Sequence, residues 1–438
     1  MLNPSNHDYI HASPPITNLM ELSTIAIWGI SALAIALVIT RPFKVPEYVW
    51  AVSGAGLLLV LRLLTPTEGL AGVTKGLDVY LFLMGMMLLA ETAREEKLFD
   101  WLAAHATRLA KGSAQRLFLL IYLVGVLVTT FLSNDATAVV LTPAVASAVR
   151  AAKVKNPLPY LFICAFIANA ASFVLPISNP ANLVIYGAHM PPLLEWLPRY
   201  LLPAVVSIVA TYFLLLRTQK ADLGQEIAQD TELPDLGRGG KVALAGIGIT
   251  AVALLAASAL DSPLGLPTAI TGTLTAVVVL FSARKSPVEI AKNVSWSVLP
   301  LVAGLFVLVE ALTKTGITRW LTGLLTAGAE QSAAKTAWVS GGAVALLCNV
   351  MNNLPAGLIT GQVLQAAHVS ETVKSALLIG IDLGPNLSVT GSLATILWLV
   401  ALRRENVTVR AWQFLKLGAL VMTVPLVLAI GSLFLLPH

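Results

Sequence analysis

The sequence predicts an all-α polytopic membrane protein made of two inverted repeats of five spanning helices, each with a re-entrant helical hairpin and a broken helix. Three observations lead there. The chain has 438 residues, 57% hydrophobic and only 12% charged, with mean hydropathy +0.81. A chain so apolar keeps most of its length in lipid rather than around a water-soluble core. Two polar tips, Ser133-Asn134-Asp135 and Asn352-Asn353, interrupt long apolar runs with no surface loop between the arms. At membrane depth an unsatisfied backbone group costs several kcal/mol, so irregular backbone persists there only where it lines a cavity. Finally, the pattern recurs: laying Leu89-Ala90-Glu91 on Leu308-Val309-Glu310 also lays Trp101 on Trp320 and Asn134 on Asn353. A slightly different offset lays Asn169 on Asp382, Ser178 on Gly391 and Asn179 on Ser392. Polar residues kept at matching places mark a two-repeat architecture.

Residues 1–22 form a polar N-terminal segment without Lys or Arg, which argues against a cleaved secretory signal with a basic start. The first repeat, 23–216, opens with apolar segments at 23–40, 48–64 and 77–92. Each is long enough to span with some tilt at about 1.5 Å per residue. A charged amphipathic stretch at 93–111, with Phe99, Trp101, Leu102 and Leu109 among the charges, is expected along the interface. The first hairpin runs through 116–149. The run 158–186 is broken where Pro176 and Pro180 remove backbone donors at membrane depth, and 200–216 closes the half. A polar, acidic linker, 217–240, is expected in the cytoplasm. The second repeat, 241–438, keeps the order: 242–260, 267–281, 298–312, amphipathic 313–327, a hairpin at 334–367, a broken helix at 373–400 and a last helix at 412–435.

Most of the 28 Lys and Arg residues fall at one side of this arrangement if both termini lie outside, which sets the orientation. Five spans per repeat is odd, so the halves are inverted and the tips are expected to meet near the midplane. The net charge of +5 then reads as cytoplasmic loops, with no nucleic-acid partner. Cys164 and Cys348 lie within apolar runs and allow neither a disulfide framework nor a zinc motif, and they suit small-residue packing better than the trapping of a soft ion. The six histidines form no metal spacing. With no phosphate-binding loop and no Ser-His-Asp arrangement, neither an enzyme nor a cofactor is expected.

Four helix starts are expected to converge on one site. Asn134 or Asp135 can cap the half-helix after the first tip, and Asn353 the one after the second; Asn179 and Ser392 can cap the two broken helices. Each exposed start offers backbone donors and a positive dipole end. The expected substrate-binding lining is Asn134, Thr137, Ser178, Asn179, Asn352, Asn353, Asn386, Thr390, Gly391 and Ser392, with Asn182 and Ser388 nearby. Such donors, carboxamides and hydroxyls suit a small anion or a small neutral polyhydroxy solute. The alternative is that they only cap helices and satisfy buried backbone. Asp135 and Asp382 sit at the breaks, where a charged carboxylate costs roughly 2.5–3.5 kcal/mol on insertion scales, and are the candidates for proton coupling. Glu91 and Glu310 lie nearer the helix ends, where a solvated structural role is expected.

Ser133-Asn134-Asp135 with Leu141-Thr142-Pro143, Met351-Asn352-Asn353-Leu354-Pro355, Asp382-Leu383-Gly384-Pro385 and Gly391-Ser392-Leu393-Ala394-Thr395-Ile396-Leu397-Trp398-Leu399 together resemble the arsenite efflux pumps (ArsB) of the ion transporter superfamily. The resemblance covers nearly the whole chain beyond residue 22. It implies export of trivalent arsenite and antimonite across the inner membrane, driven by protons and, in some members, with a soluble ATPase partner. The chain departs from the pattern at Asn169, where some members carry aspartate, and at Asn386, where some carry lysine. The rival readings are a sodium–proton antiporter, a sodium-coupled anion symporter, or a passive channel or membrane subunit acting with an ATPase.

Overall fold

The computed structural model describes residues 16–187, 190–228 and 234–436, with side chains from residue 21 onward. Both chain ends, on which the expected orientation of the termini bears, lie outside the described residues, as do His7, His11, His189 and His438. Among the described residues there is no strand, only an isolated bridge between Ser113 and Glu226.

The first half contains α1 (Ile16–Thr40), α2 (Glu47–Val60), α3 (Pro66–Lys75), α4 (Leu77–Glu95), α5 (Leu98–Leu109) and α6 (Ala114–Phe131). After the first tip come α7 (Asn134–Ala136), a π-helical turn Thr137–Leu141 and α8 (Thr142–Ala151). α9 (Leu158–Ala170), a 3₁₀ turn Pro176–Ser178 and α10 (Pro180–Tyr186) make the broken helix, and α11 (Leu193–Thr218) closes the half. The second half repeats the order as α12 (Arg238–Ala259), α13 (Gly265–Ala283), α14 (Pro287–Asn293), α15 (Val298–Lys314) and α16 (Ile317–Gln331). Then come the hairpin α17 (Ala333–Met351) and α18 (Asn353–Ala366), the broken helix α19 (Glu371–Leu383) and α20 (Leu393–Arg404), and α21 (Ala411–Ser432).

Two short helices were not expected, α3 and α14, and they occupy matching places. Thr65 before Pro66 and Ser286 before Pro287 start them, an N-cap followed by a proline at the first helical position. Thr65 and Glu68 complete a reciprocal capping box. α2 ends at Val60 rather than continuing to 64, because the chain turns through Arg62 at φ 55°. Its 14 residues span about 21 Å, short of a hydrocarbon core of roughly 30 Å. Among the described residues, seven helices can cross a membrane by length and composition, or eight when α3 and α4, bent by 47°, count as one span. The pieces of the broken helices are individually too short. Large apolar side chains on α1, α11, α12 and α13 face outward, among them Ile25, Phe213, Ile249 and Phe281, as a lipid-facing surface requires. α9 is buried from Pro159 to Ala170, and α19 from Ser375 to Leu383.

The packing of one half mirrors the other. α4 packs on α13 as α15 packs on α2; α6 lies on α9 as α17 lies on α19; α5 covers the first hairpin as α16 covers the second. The first of these pairs depends on matched glycines. A Cβ on Gly85 would sit 2.2 Å from the Thr268 carbonyl oxygen, and one on Gly304 would sit 2.7 Å from the Ala51 carbonyl carbon. Only glycine lets these backbones approach so closely.

The hairpin mouths lie at opposite ends of the broken helices. The Tyr160 hydroxyl, at the start of α9, donates to the Ala114 carbonyl at the first mouth (3.1 Å), whereas Gly187 after α10 meets Gln365 at the second. The second broken helix runs the other way: Glu405 after α20 pairs with Arg150 at the first mouth (2.7 Å). Residues 227 and 228 of the linker dock at the first mouth, through Ile227 N–H to Gly112 and Ala228 N–H to Ala152.

Candidate substrate cavity at the hairpin tips

Both tips reverse the chain through one residue at positive φ, Ser133 at 139° and Asn352 at 74°. Those two residues, rather than Asn134, Asp135 or Asn353, are the N-caps. Ser133 Oγ accepts from Ala136 N–H (3.3 Å), and Asn352 Oδ1 from Leu354 N–H (3.2 Å). The reason is the sharpness of the reversal: the residue that turns is the last non-helical one, so the cap falls one place earlier than the polar pattern suggests. The broken helices begin as expected. Asn179 Oδ1 accepts from Ala181 N–H (3.0 Å), and Ser392 Oγ from Thr395 N–H (3.1 Å).

The four starts converge on a cavity of about 30 Å³ lined by Asn134, Asp135, Asn179, Asn353 and Ser392. Its apolar wall is Leu83 of α4 with Val298 and Val302 of α15. That wall carries no polar signal in the sequence, but the alignment of Glu91 with Glu310 also places Leu83 on Val302. The second tip is fixed by a bond from Asn353 N–H to the Gly391 carbonyl (2.9 Å). Gly391 itself packs so closely on Pro385 that a Cβ would stand 2.5 Å from its Cα.

Several expected lining residues are used to build the frame instead. Thr137 bonds Thr129 across the hairpin (2.8 Å). Ser178 donates to the Thr130 carbonyl (3.0 Å), tying the broken helix to the first tip. Thr390 donates to the Asn349 carbonyl (3.1 Å). Asn386 is fully buried, bonded to Asn169 and to the Phe166 carbonyl. Buried polar groups must be paired, and breaks inside a bilayer use hydroxyls and carboxamides for this first. Ser133 and Asn352 are caps, Gly391 is a spacer, and Ser388 bonds Asn349 (2.7 Å).

The two candidate carboxylates sit differently. Asp135 lines the cavity and an adjoining 70 Å³ pocket that runs along α4 to Glu91. Asp382 is fully buried behind the cavity, where its Oδ1 accepts from Asn179 Nδ2. Glu91 and Glu310 are paired at their helix ends, with Arg94 and with Lys75 (2.6 Å each). On the side of the second mouth a cleft of about 590 Å³, reached by Lys75, Asp78, Asp261 and Gln365, has no lining residue in common with the tip cavity. Cys164 and Cys348 are buried away from both. Among the described residues no three His, Cys, Asp or Glu side chains come together for a metal ion.

A polar cavity closed by four interrupted helices inside an apolar bundle is the mark of a multi-pass membrane transporter. Residues 35–381 match the family described as CitMHS, citrate transporter, and the chain belongs to that family. It is similar to an arsenical pump membrane protein of Escherichia coli K12, 26% identical with 91% of this chain and 95% of the relative covered. One of Yersinia enterocolitica is 28% identical, with 76% and 80% covered. The fold resembles the crystal structure of the Alcanivorax borkumensis YdaH transporter, with TM-score 0.56 and 15% identity over 94% of this chain and 98% of that one. These relatives are named as membrane transport proteins, in agreement with the non-enzyme reading.

Proposed function

We propose that the chain exports trivalent arsenite and antimonite from the cytoplasm in exchange for entering protons, as an inner-membrane antiporter with both termini outside. The observation that carries this reading is the lining of the tip cavity, which holds carboxamides, a hydroxyl, one carboxylate and aliphatic walls but no Lys or Arg among its described residues. Arsenite near neutral pH is mostly an uncharged trihydroxide. Its hydroxyls both donate and accept, and Asn134, Asn179, Asn353 and Ser392 match them without thiols. A solute bearing several carboxylates, as in the family's name, is held by Arg or Lys in a dry site and repelled by a carboxylate such as Asp135. The relatives named as arsenical pumps support the same choice.

Asp135 and Asp382 are the coupling groups of this proposal. Asp135 faces the cavity, so a proton on its carboxyl and a solute beside it act on the same space. Asp382 communicates with the cavity through Asn179. The first mouth, with Arg116, Arg150, Lys153 and Lys155 around it, supports a cytoplasmic position for that side. The adjoining pocket at Asp135 leads toward it. The lipid bilayer, protons and the trivalent oxyacids are the partners needed; a soluble ATPase is an addition the proposed mechanism does not require.

The test of solute identity uses proteoliposomes with this protein alone and no ATP. Arsenite and antimonite should be taken up, and citrate should neither be taken up nor compete. Uptake of citrate with none of arsenite would reject the reading.

A further inference from the structure

The tip cavity is divided from the cleft at the second mouth by a layer one helical turn thick. On α4 the lining passes from the cavity at Leu83 to the cleft at Val79; on α15 it passes from Val302 to Phe306, and on α18 from Leu354 to Leu358. Each step is four residues, about 6 Å along a helix axis. All six side chains are apolar, and none is exposed. On the side of the first mouth, by contrast, the 70 Å³ pocket along α4 shares Leu83, Asp135, Pro180 and Val298 with the cavity, so that path is continuous with it.

The layer is a product of the repeat. The alignment that lays Leu83 on Val302 also lays Val79 on Val298 and Met87 on Phe306. A spacing of four keeps each set of three on one helix face. The two stripes run in opposite directions. Val79 and Phe306 line the cleft, Met87 and Val298 line the pocket on the other side, and Leu83 and Val302 meet at the cavity between them. Both helices are also fixed from behind. Gly85 and Gly304, each two residues beyond the central side chain and so on the opposite face, bring the backbones against α13 and α2.

We propose that Leu83 and Val302 form a hydrophobic seal that keeps the two access paths apart, and that without it the protein conducts small neutral polar solutes passively. A short apolar constriction stays closed because water withdraws from it, and a polar solute does not enter a dry passage. The seal is independent of which solute the cavity takes and of proton coupling.

The experiment is stopped-flow light scattering of liposomes carrying the purified full-length protein, with urea as the permeant and no arsenite or pH gradient. Wild-type liposomes should pass urea no faster than protein-free ones. Leu83→Ala combined with Val302→Ala should raise the rate about tenfold or more, and Val302→Thr, which keeps the size of the side chain and adds a hydroxyl, about threefold. Leu308→Ala is the control. It truncates a fully buried side chain of α15 that faces Gly54 of α2, away from the stripe, and should leave the rate at the wild-type level. A thermal melt shows which variants are folded, and Val302→Thr carries the test alone if the double variant is not. Folded seal variants as tight as wild type overturn the proposal. So does a leak in Leu308→Ala equal to that of the seal variants, or wild-type protein that already passes urea as fast. Arsenite transport plays no part in this readout, so the function proposed above can fail without affecting it.

Discussion

The two hairpin tips are built alike and charged differently. Each turns at a positive-φ residue that caps the following half-helix, Ser133 in one and Asn352 in the other, and each sends an asparagine into the cavity. One position further on, the first tip places Asp135 against the solute space where the second places Leu354. The broken helices show the opposite imbalance, with Asn169 in the first matched by Asp382 in the second. What the halves share is the frame: four caps, the glycine contacts, and the hydroxyls that satisfy interrupted backbone. What they do not share is charge, and in this account the unmatched carboxylates are where a proton gradient acts.

Removing that difference should have the largest effect. Asp135→Leu makes the first tip resemble the second. One proton crossing 100 mV is worth about 2.3 kcal/mol, a roughly fiftyfold accumulation, and the variant should lose all of it while still equilibrating arsenite. Asp382→Asn likewise makes the second broken helix resemble the first. It should lower gradient-driven uptake on the order of tenfold and change its dependence on pH, because Asp382 acts through Asn179 rather than by touching the solute. A pH profile identical to wild type would place the coupling entirely at Asp135.

The matched residues provide the control. Asn134→Ala and Asn353→Ala remove equivalent contacts and should each raise the half-saturating arsenite concentration by about five- to tenfold, near 1 kcal/mol, with expression largely intact. Normal export by both variants would mean that the convergent starts do not form the site. Thr137→Val should do least. It removes the hydroxyl pair with Thr129 inside the hairpin, costing about 1 kcal/mol in a thermal or denaturant melt, and should leave arsenite affinity unchanged. A loss of affinity equal to that of Asn134→Ala would return Thr137 to the cavity lining.

Much of this arrangement is legible in the residues. Pro176 and Pro180 mark the first break, the Asn179 and Ser392 caps fall where polar residues precede helical runs, and the lone polar tips locate both hairpins. Other features escape because sequence carries no three-dimensional address for them. Whether a buried hydroxyl faces a cavity or a neighbouring carbonyl is set by packing, which is why Thr137, Ser178, Asn386 and Thr390 read like a lining yet hold the frame. The cap at each tip is displaced by one residue because a positive φ in Ser133 or Asn352 leaves little trace in composition. α3 and α14 were hidden by their brevity, although Thr65-Pro66 and Ser286-Pro287 signal them. The close approach at Gly85 and Gly304 becomes visible only once the repeats are aligned.

The central claim, that the unmatched carboxylate of the first tip couples arsenite to protons, is tested most directly in everted membrane vesicles given an acidic lumen and no ATP or sodium. Wild-type vesicles should accumulate arsenite, and a protonophore should collapse the accumulation; Asp135→Leu vesicles should equilibrate the solute without concentrating it. Gradient-dependent accumulation by Asp135→Leu equal to that of wild type would contradict the account.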